Sequence, residues 1–255
     1  MTTVEIKNTK DFMTFLSRQK RDDNFLPHDS KENSKAICET AFHSEVLYIL
    51  PRTHNLKNIE NYNNIKFVTI NNFKIDKTGH AILKEHKEKL ANVKFLSIWN
   101  IKQNDLELLE LFPNVTHLLI SYIGKADFSY SGLDYLKNLE TLVLSSVNKI
   151  TDFNFLTKQQ KTKIKNLNLT YTARLTKLDG IEDFKNLETL TLFASTMESR
   201  KTVTLENLNG IEKLSNLHSF EIDYFKFDME KLKDKLKQLK NLKQYKVKNQ
   251  TYENI

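Results

Sequence analysis

A short motif recurs along the chain and constrains the fold more than any other feature of the sequence. It reads GLDYLKNLETLVL at residues 132–144, GIEDFKNLETLTL at 180–192 and GIEKLSNLHSFEI at 210–222. The apolar positions, one glycine and one asparagine fall in the same register each time. Self-similarity of this kind is the signature of a repeat architecture, in which each unit buries its apolar face against its neighbours.

Two apolar residues separated by one position mark the predicted strand of each unit. Nine such pairs follow one another along the chain, at steps of 21 to 30 residues. The pairs are Leu47/Ile49, Val68/Ile70, Leu96/Ile98, Leu118/Ile120, Leu142/Leu144, Leu167/Leu169, Leu190/Leu192, Phe220/Ile222 and Tyr245/Val247. Because parallel strands need a long crossover between them, these steps predict one parallel sheet.

The L-x-x-L-x-L core and its spacing resemble the leucine-rich repeat family, over about residues 44–247. The resemblance implies an α/β fold: a curved right-handed solenoid with a parallel sheet on the concave side, helical or irregular segments on the convex side, and helical caps. The chain departs from the family in one respect. Members usually carry Asn or Cys three places after the last strand residue, where this chain has residues such as Ile101, Ile123 and Val147. We therefore expect the turns to satisfy their backbone groups in another way.

The array is expected to be continuous, because no Gly-, Ser- or Pro-rich linker interrupts it. Residues 1–43 are interpreted as an N-terminal helical cap, 44–225 as the repeat array, and 226–255 as a basic C-terminal capping helix and last strand. In the N-terminal cap, Phe12, Phe15 and Leu16 share one face of a predicted helix. The C-terminal helix is predicted from an apolar stripe at Met229, Leu232, Leu236, Leu239 and Leu242.

The sequence also gives expectations for the location and the source of the protein. The N-terminus lacks the pattern of a secretory signal, and no apolar run approaches the roughly 20 residues of a membrane span. Cys38 is the single cysteine, so no intramolecular disulfide is possible. We expect a cytoplasmic monomer, although export without a signal stays open. A Lys- and Asn-rich composition is compatible with an AT-rich bacterial genome.

The predicted concave face is free of charge along most of its length. Side chains alternate between the faces of a strand, so the residues flanking and separating each apolar pair share this face. None of the 21 such positions in the first seven strands is Asp, Glu, Lys or Arg, although 28% of the chain is charged. Interface cores are depleted of charge and enriched in aromatic residues. The candidate partner-binding residues are Tyr48, Phe67, Phe95, Trp99, His117, Tyr122, Tyr171, Phe193 and Tyr224.

Two other interpretations stay open at this point. In the first, the aromatic residues of this face pack against one another along the sheet, or the N-terminal segment covers them.

The second interpretation concerns charge. The net charge is +7, and residues 226–255 contribute +5 of it. This Lys-rich cap is the alternative binding surface, for an acidic partner, a nucleic acid or a membrane surface. The absence of interleaved Arg and stacking aromatic residues disfavours nucleic acid.

Motifs for chemistry are missing. The five glycines form neither a phosphate-binding loop nor a dinucleotide fingerprint, and no G-x-S-x-G elbow is present. His80 and His86 lie six residues apart, which does not match the helical spacing of a zinc-binding pair. The sequence therefore predicts a non-catalytic protein that binds a protein partner, without a catalytic residue, cofactor or metal.

Overall fold

A computed structural model describes residues 46–49, 59, 65–71, 77–101, 104–123, 128–147, 149–195 and 202–254. The strands in these ranges are β1 (Val46–Ile49), β2 (Phe67–Asn71), β3 (Phe95–Ile101), β4 (His117–Ile123), β5 (Thr141–Val147), β6 (Asn166–Thr170), β7 (Thr189–Phe193), β8 (Val203–Thr204), β9 (Ser219–Asp223), β10 (Phe225–Lys226), β11 (Gln244–Val247) and β12 (Gln250–Glu253). Ten of them form one sheet in the order β1-β2-β3-β4-β5-β6-β7-β9-β11-β12. Every pairing from β1 to β11 is parallel, and β12 is antiparallel to β11.

The register of the sheet confirms the nine predicted strand pairs. Leu96 lies beside Val68 on one side and Leu118 on the other, and the same correspondence continues to Phe220 and Tyr245. From Val68/Ile70 onward, each pair belongs to the core and meets its counterparts from the neighbouring repeats. The repeat seen in the sequence is therefore the repeat of the fold.

In the described residues, the returns between strands contain more 3-10 turns than α-helices. The α-helices of the described residues are α1 (Lys77–Glu85), α2 (Lys87–Leu90), α3 (Lys158–Lys161) and α4 (Met229–Leu236), and 3-10 turns lie at Glu107–Leu111, Ser131–Tyr135, Phe153–Phe155, Ile181–Asp183 and Ile211–Lys213. Apolar residues of these turns, such as Leu133, Ile181 and Ile211, are buried against the strand pairs. The core thus lies between the sheet and the turns.

The glycine of the motif is required for two different physical reasons. Gly180 and Gly210 have φ angles of +85° and +89°, a left-handed conformation that glycine adopts without a steric penalty. At Gly132, a Cβ would lie 2.3 Å from the carbonyl oxygen of Leu106 in the preceding repeat. Gly180 and Gly210 open their turns, and Gly132 allows two repeats to approach closely.

The asparagine of the motif ties each repeat to the one before it. The side-chain amide of Asn186 donates to the carbonyl of Thr162 at 2.7 Å, and Asn216 donates to Lys185 at 2.8 Å. In β3–β5 the usual family position after the strand is instead apolar and buried, and its residues Ile101, Ile123 and Val147 continue the parallel register. Asparagines at the other end of the strands thus provide hydrogen bonds between repeats.

The C-terminal end differs from its prediction in two details. Helix α4 begins after Asp228, whose carboxylate accepts a hydrogen bond from the Lys231 amide at 3.1 Å, and it ends at Leu236. The apolar stripe continues to Leu242, but its last residues are buried in turns and not in a helix. Strand β12 then pairs with β11 and covers that edge of the sheet. The predicted N-terminal cap and Cys38 lie outside the described residues.

Candidate functional site

The concave face is defined here as the face of the sheet that points away from the core, and it carries three rows of side chains. In β3 the rows are represented by Phe95, Ser97 and Trp99, which alternate with the core residues Leu96 and Ile98. The parallel register places each of these residues beside its counterpart on the next strand, about 4.8 Å away. Each row therefore crosses the sheet from repeat to repeat.

The first row changes from aromatic stacking to hydrogen bonding at its middle. The rings of Phe67 and Phe95 stack with centroids 4.7 Å apart, and the His117 ring follows at 4.7 Å from Phe95. Further along, the Asn166 amide donates to the Thr141 hydroxyl at 3.2 Å, and the Thr189 hydroxyl donates to Asn166 at 2.7 Å. Contacts along the row hold these side chains in place.

The second row of the concave face changes from buried to half-buried along the sheet. We call the concave-face residues of β2–β5 the aromatic half and those of β6, β7 and β9 the polar half. In the second row, Leu119 and Val143 of the aromatic half are only 3% and 1% exposed. In the polar half, Asn168 and Thr191 of the same row are half-buried. One sheet face therefore has two different environments.

The structure places the sequence-predicted residues in different environments. Phe67 is buried, Phe95, Trp99 and His117 are half-buried in the aromatic half, and Phe193 is half-buried in the polar half. Tyr122 is 53% exposed. Tyr171 and Tyr224 are half-buried, and the side chain of Tyr48 lies outside the described part of the chain. Half-buried candidates therefore occur in both halves, and the most exposed one, Tyr122, stands in β4.

Three of the tyrosines stand at a backbone position that the sequence analysis did not recognise. Tyr122, Tyr171 and Tyr224 have φ angles of 60°, 59° and 61°, each two residues after the last core residue of its strand. Asn100 and Ser146 occupy the same position with φ angles of 55° and 57°. A left-handed conformation is uncommon for a bulky residue, and Asn tolerates it better. Asn100, and Asn249 with a φ angle of 63° after the last strand pair, were therefore the sequence signals for this turn.

His117 is held as a neutral imidazole by its surroundings. Burial lowers its pKa below the ordinary value of 6.5, and the nearby charge of Glu140 opposes this effect only in part. Its Nδ1 atom lies 2.9 Å from the hydroxyl oxygen of Thr116. The aromatic half is therefore uncharged near neutral pH.

Charge enters the concave face only at its C-terminal end. Glu221 and Asp223 of β9 are the first charged residues of the three rows, and an Asp223 carboxylate oxygen accepts a hydrogen bond from the Tyr224 amide at 2.6 Å. In the Lys-rich cap, several lysines have carboxylate partners. Lys233 lies 2.8 Å from Glu230, and Lys235 lies 3.0 Å from Glu212. These pairs reduce the positive charge that the cap presents.

The described residues contain neither a metal-binding cluster nor a membrane-spanning helix. No group of three or more His, Cys, Asp or Glu side chains among them is arranged to hold a metal ion. Within the same ranges, no helix is both long enough and apolar enough to cross a bilayer. The concave face presents aromatic rings, hydroxyl groups and amide groups.

Comparison with solved structures shows a leucine-rich repeat fold. An internalin (InlF) from Listeria monocytogenes strain 4b F2365 matches with a TM-score of 0.52 and 14% identity, over 78% of this chain. This chain spans 58% of the length of that internalin chain. The mouse RP105/MD-1 complex matches with a TM-score of 0.47 and 15% identity, over 81% of this chain and 36% of that one. No family model matches the sequence, and no curated protein matches it.

Proposed function

We propose that this protein is a non-catalytic interaction module that binds a protein partner on its concave face. The observation that carries the proposal is the absence of Asp, Glu, Lys and Arg from the three rows of β2–β7, next to aromatic residues in the same rows. Charge is depleted, and aromatic residues are enriched, at the cores of protein interfaces. The leucine-rich repeat fold supports a protein-interaction role in general.

The polar half is the part of this face that a partner meets first. Asn168, Thr170 and Thr191 are half-buried there and offer amide and hydroxyl groups to a partner. Phe193 supplies an aromatic surface in the adjoining row, and Tyr171 stands at the strand edge. Partly exposed aromatic residues beside adaptable hydrogen-bonding groups are typical of binding hot spots.

The Lys-rich cap is the competing surface. Lys240, Lys246 and Lys248 are exposed in its last turns and strand, and a partner held there would be acidic. Carboxylates already pair with Lys231, at 3.8 Å, and with other lysines of α4. Exposed ion pairs contribute little free energy and are screened by salt, so affinity through this surface would fall steeply with ionic strength.

The test is a matched pair of variants against one purified partner. A tagged full-length chain captures the partner, and calorimetry then measures the dissociation constant for each variant. We expect the double substitution Tyr171→Ala with Phe193→Ala to weaken binding about thirtyfold, because losing a hot spot costs roughly 2 kcal/mol. Lys240→Gln with Lys246→Gln and Lys248→Gln is the control and should change the dissociation constant little. The reverse pattern would assign the partner to the cap.

A further inference from the structure

Two charged residues are buried in the part of the chain that the structure describes, and they differ in their partners. Lys161 is 1% exposed, and its ammonium nitrogen lies 3.3 Å from a carboxylate oxygen of Asp183. Asp223 is 9% exposed, and no ion pair is found for it among the described residues. Removing a carboxylate from water costs free energy, and buried charges are therefore normally paired. The burial of Asp223 thus needs an explanation.

The Asp223 carboxylate receives fewer hydrogen bonds than it can accept. Its Oδ1 atom accepts one from the backbone N–H of the next residue, Tyr224, at 2.6 Å. No donor to its Oδ2 atom is found within the described ranges. Because an ionised carboxylate accepts about four hydrogen bonds, most of this capacity is left for a donor from outside the chain.

The neighbouring strands place an aromatic ring on one side of Asp223 and a lysine on the other. In the parallel register, Asp223 lies beside Phe193 of β7, which is half-buried on the same concave face. On the side of β11, Val247 lies beside Ile222, so Lys248 follows next to Asp223. Lys248 is exposed, and among the described residues no ion pair joins it to Asp223. The adjacent cation of the chain therefore leaves this carboxylate unpaired.

We propose that Asp223 and Phe193 form a site for an arginine side chain of the protein partner. A guanidinium group is planar, so it can stack on an aromatic ring while its N–H groups donate to a carboxylate. Phe193 and Asp223 stand one strand spacing apart, about 4.8 Å, so a guanidinium on the ring reaches the carboxylate. Glu221 of the same strand and face adds negative charge. This inference rests on the proposed function and names the chemistry that the polar half recognises.

A short peptide in place of the partner tests the site directly. Acetyl-Gly-Gly-Arg-Gly-Gly-amide is titrated into the isotope-labelled full-length chain, and the control peptide carries citrulline, which has nearly the shape of arginine but no charge. NMR follows the backbone amide of Tyr224, which donates to Asp223. We expect a saturable shift of this amide with the arginine peptide and binding at least about tenfold weaker with the citrulline peptide. Equal affinities for the two peptides, or no shift of the Tyr224 amide, would overturn the proposal.

Variants separate the charge of Asp223 from its hydrogen bond. Asp223→Asn keeps an oxygen for the Tyr224 amide and removes the charge, and we expect it to weaken binding of the arginine peptide about tenfold. Lys248→Gln is the matched control, and it should leave the affinity unchanged or raise it. Wild-type affinity in Asp223→Asn would contradict the site. If thermal denaturation shows that Asp223→Asn is not folded, Phe193→Leu replaces it, and wild-type affinity in that variant would contradict the site equally.

The site and the proposed function fail in different ways. In calorimetry against the captured partner, Asp223→Asn should weaken binding about tenfold and Lys248→Gln should not weaken it. If Tyr171→Ala with Phe193→Ala weakens binding and Asp223→Asn does not, the proposed function stands and this inference is wrong. If none of these variants changes the dissociation constant, the proposed function is wrong as well.

Discussion

Asparagine side chains of several repeats connect their repeat to the preceding one. Asn241 donates to the Ser215 carbonyl at 2.8 Å and Asn114 to the Ala91 carbonyl at 2.9 Å, so the interaction extends over much of the array. Asn138 differs, because its amide meets the Asn114 side chain at 3.4 Å and reaches no backbone carbonyl. The motif thus contains one strong and one weak form of the same contact.

This difference predicts unequal costs for one substitution. Asn186→Ala removes a 2.7 Å hydrogen bond to the Thr162 carbonyl, and we expect it to lower the free energy of unfolding by about 1 kcal/mol. Asn138→Ala is the matched control, and its cost should be smaller because the contact it removes is long. Urea denaturation of both variants measures the two values. Equal losses would show that these bonds do not stabilise the array.

His117 makes stability depend on pH in one direction. Because its folded-state pKa lies below the ordinary 6.5, the unfolded chain binds the proton more readily. Its contribution is therefore fully present above about pH 6.5 and is lost as the pH falls through the folded-state pKa. Relative to wild type, His117→Gln should flatten the loss of unfolding free energy between pH 7.5 and 5. Parallel curves for the two proteins would show that His117 does not titrate in this way.

At the scale of elements, hydrogen bonds from one side chain stabilise the C-terminal cap. The Asn254 amide, just beyond β12, donates to the Leu236 carbonyl at 2.9 Å and the Leu242 carbonyl at 2.8 Å. Its third contact, to the Leu239 carbonyl, is 3.4 Å long. One amide therefore satisfies carbonyl groups at the end of α4 and in the turns that follow it, where no helix continues.

Removing this amide should weaken the whole cap. We expect Asn254→Ala to lower the free energy of unfolding by about 1–3 kcal/mol, because partly buried carbonyls lose their donor. Thr251→Ala, at an exposed position of β12, is the control and should have little effect. Thermal denaturation of both variants gives the comparison. A control as destabilised as Asn254→Ala would mean that strand pairing, and not this amide, holds the cap.

The elements also show which features the sequence can predict. Strand register followed from the spacing of pairs such as Leu118/Ile120, because each pair packs against the same positions of its neighbours. The end of α4 could not be predicted from the spacing, because Leu239 and Leu242 continue the helical spacing while they are buried in turns. Strand β12 was also missed, because its alternation is weak and its partner Tyr245–Val247 lies only a few residues away.

At the scale of the whole molecule, a regular array presents an uneven binding surface. Every repeat contributes the same three rows, but the second row is buried in β3–β5 and half-buried in β6 and β7. Period-2 alternation predicted which residues share the concave face. It could not predict that Leu119 and Val143 of this face are buried, because burial depends on contacts between distant parts of the chain, which no local pattern encodes.

The central claim is that the second row of the concave face is closed in β3–β5 and open in β6 and β7, and thiol labelling tests it most directly. Single cysteines replace Ser97 and Thr191, which lie in the same row, in a chain that also carries Cys38→Ser. Labelling of the native full-length protein with a soluble thiol reagent is then followed over time, with the unfolded proteins as references. The account predicts that the Thr191→Cys variant reacts much faster than the Ser97→Cys variant. Equal rates in the two folded proteins would contradict it.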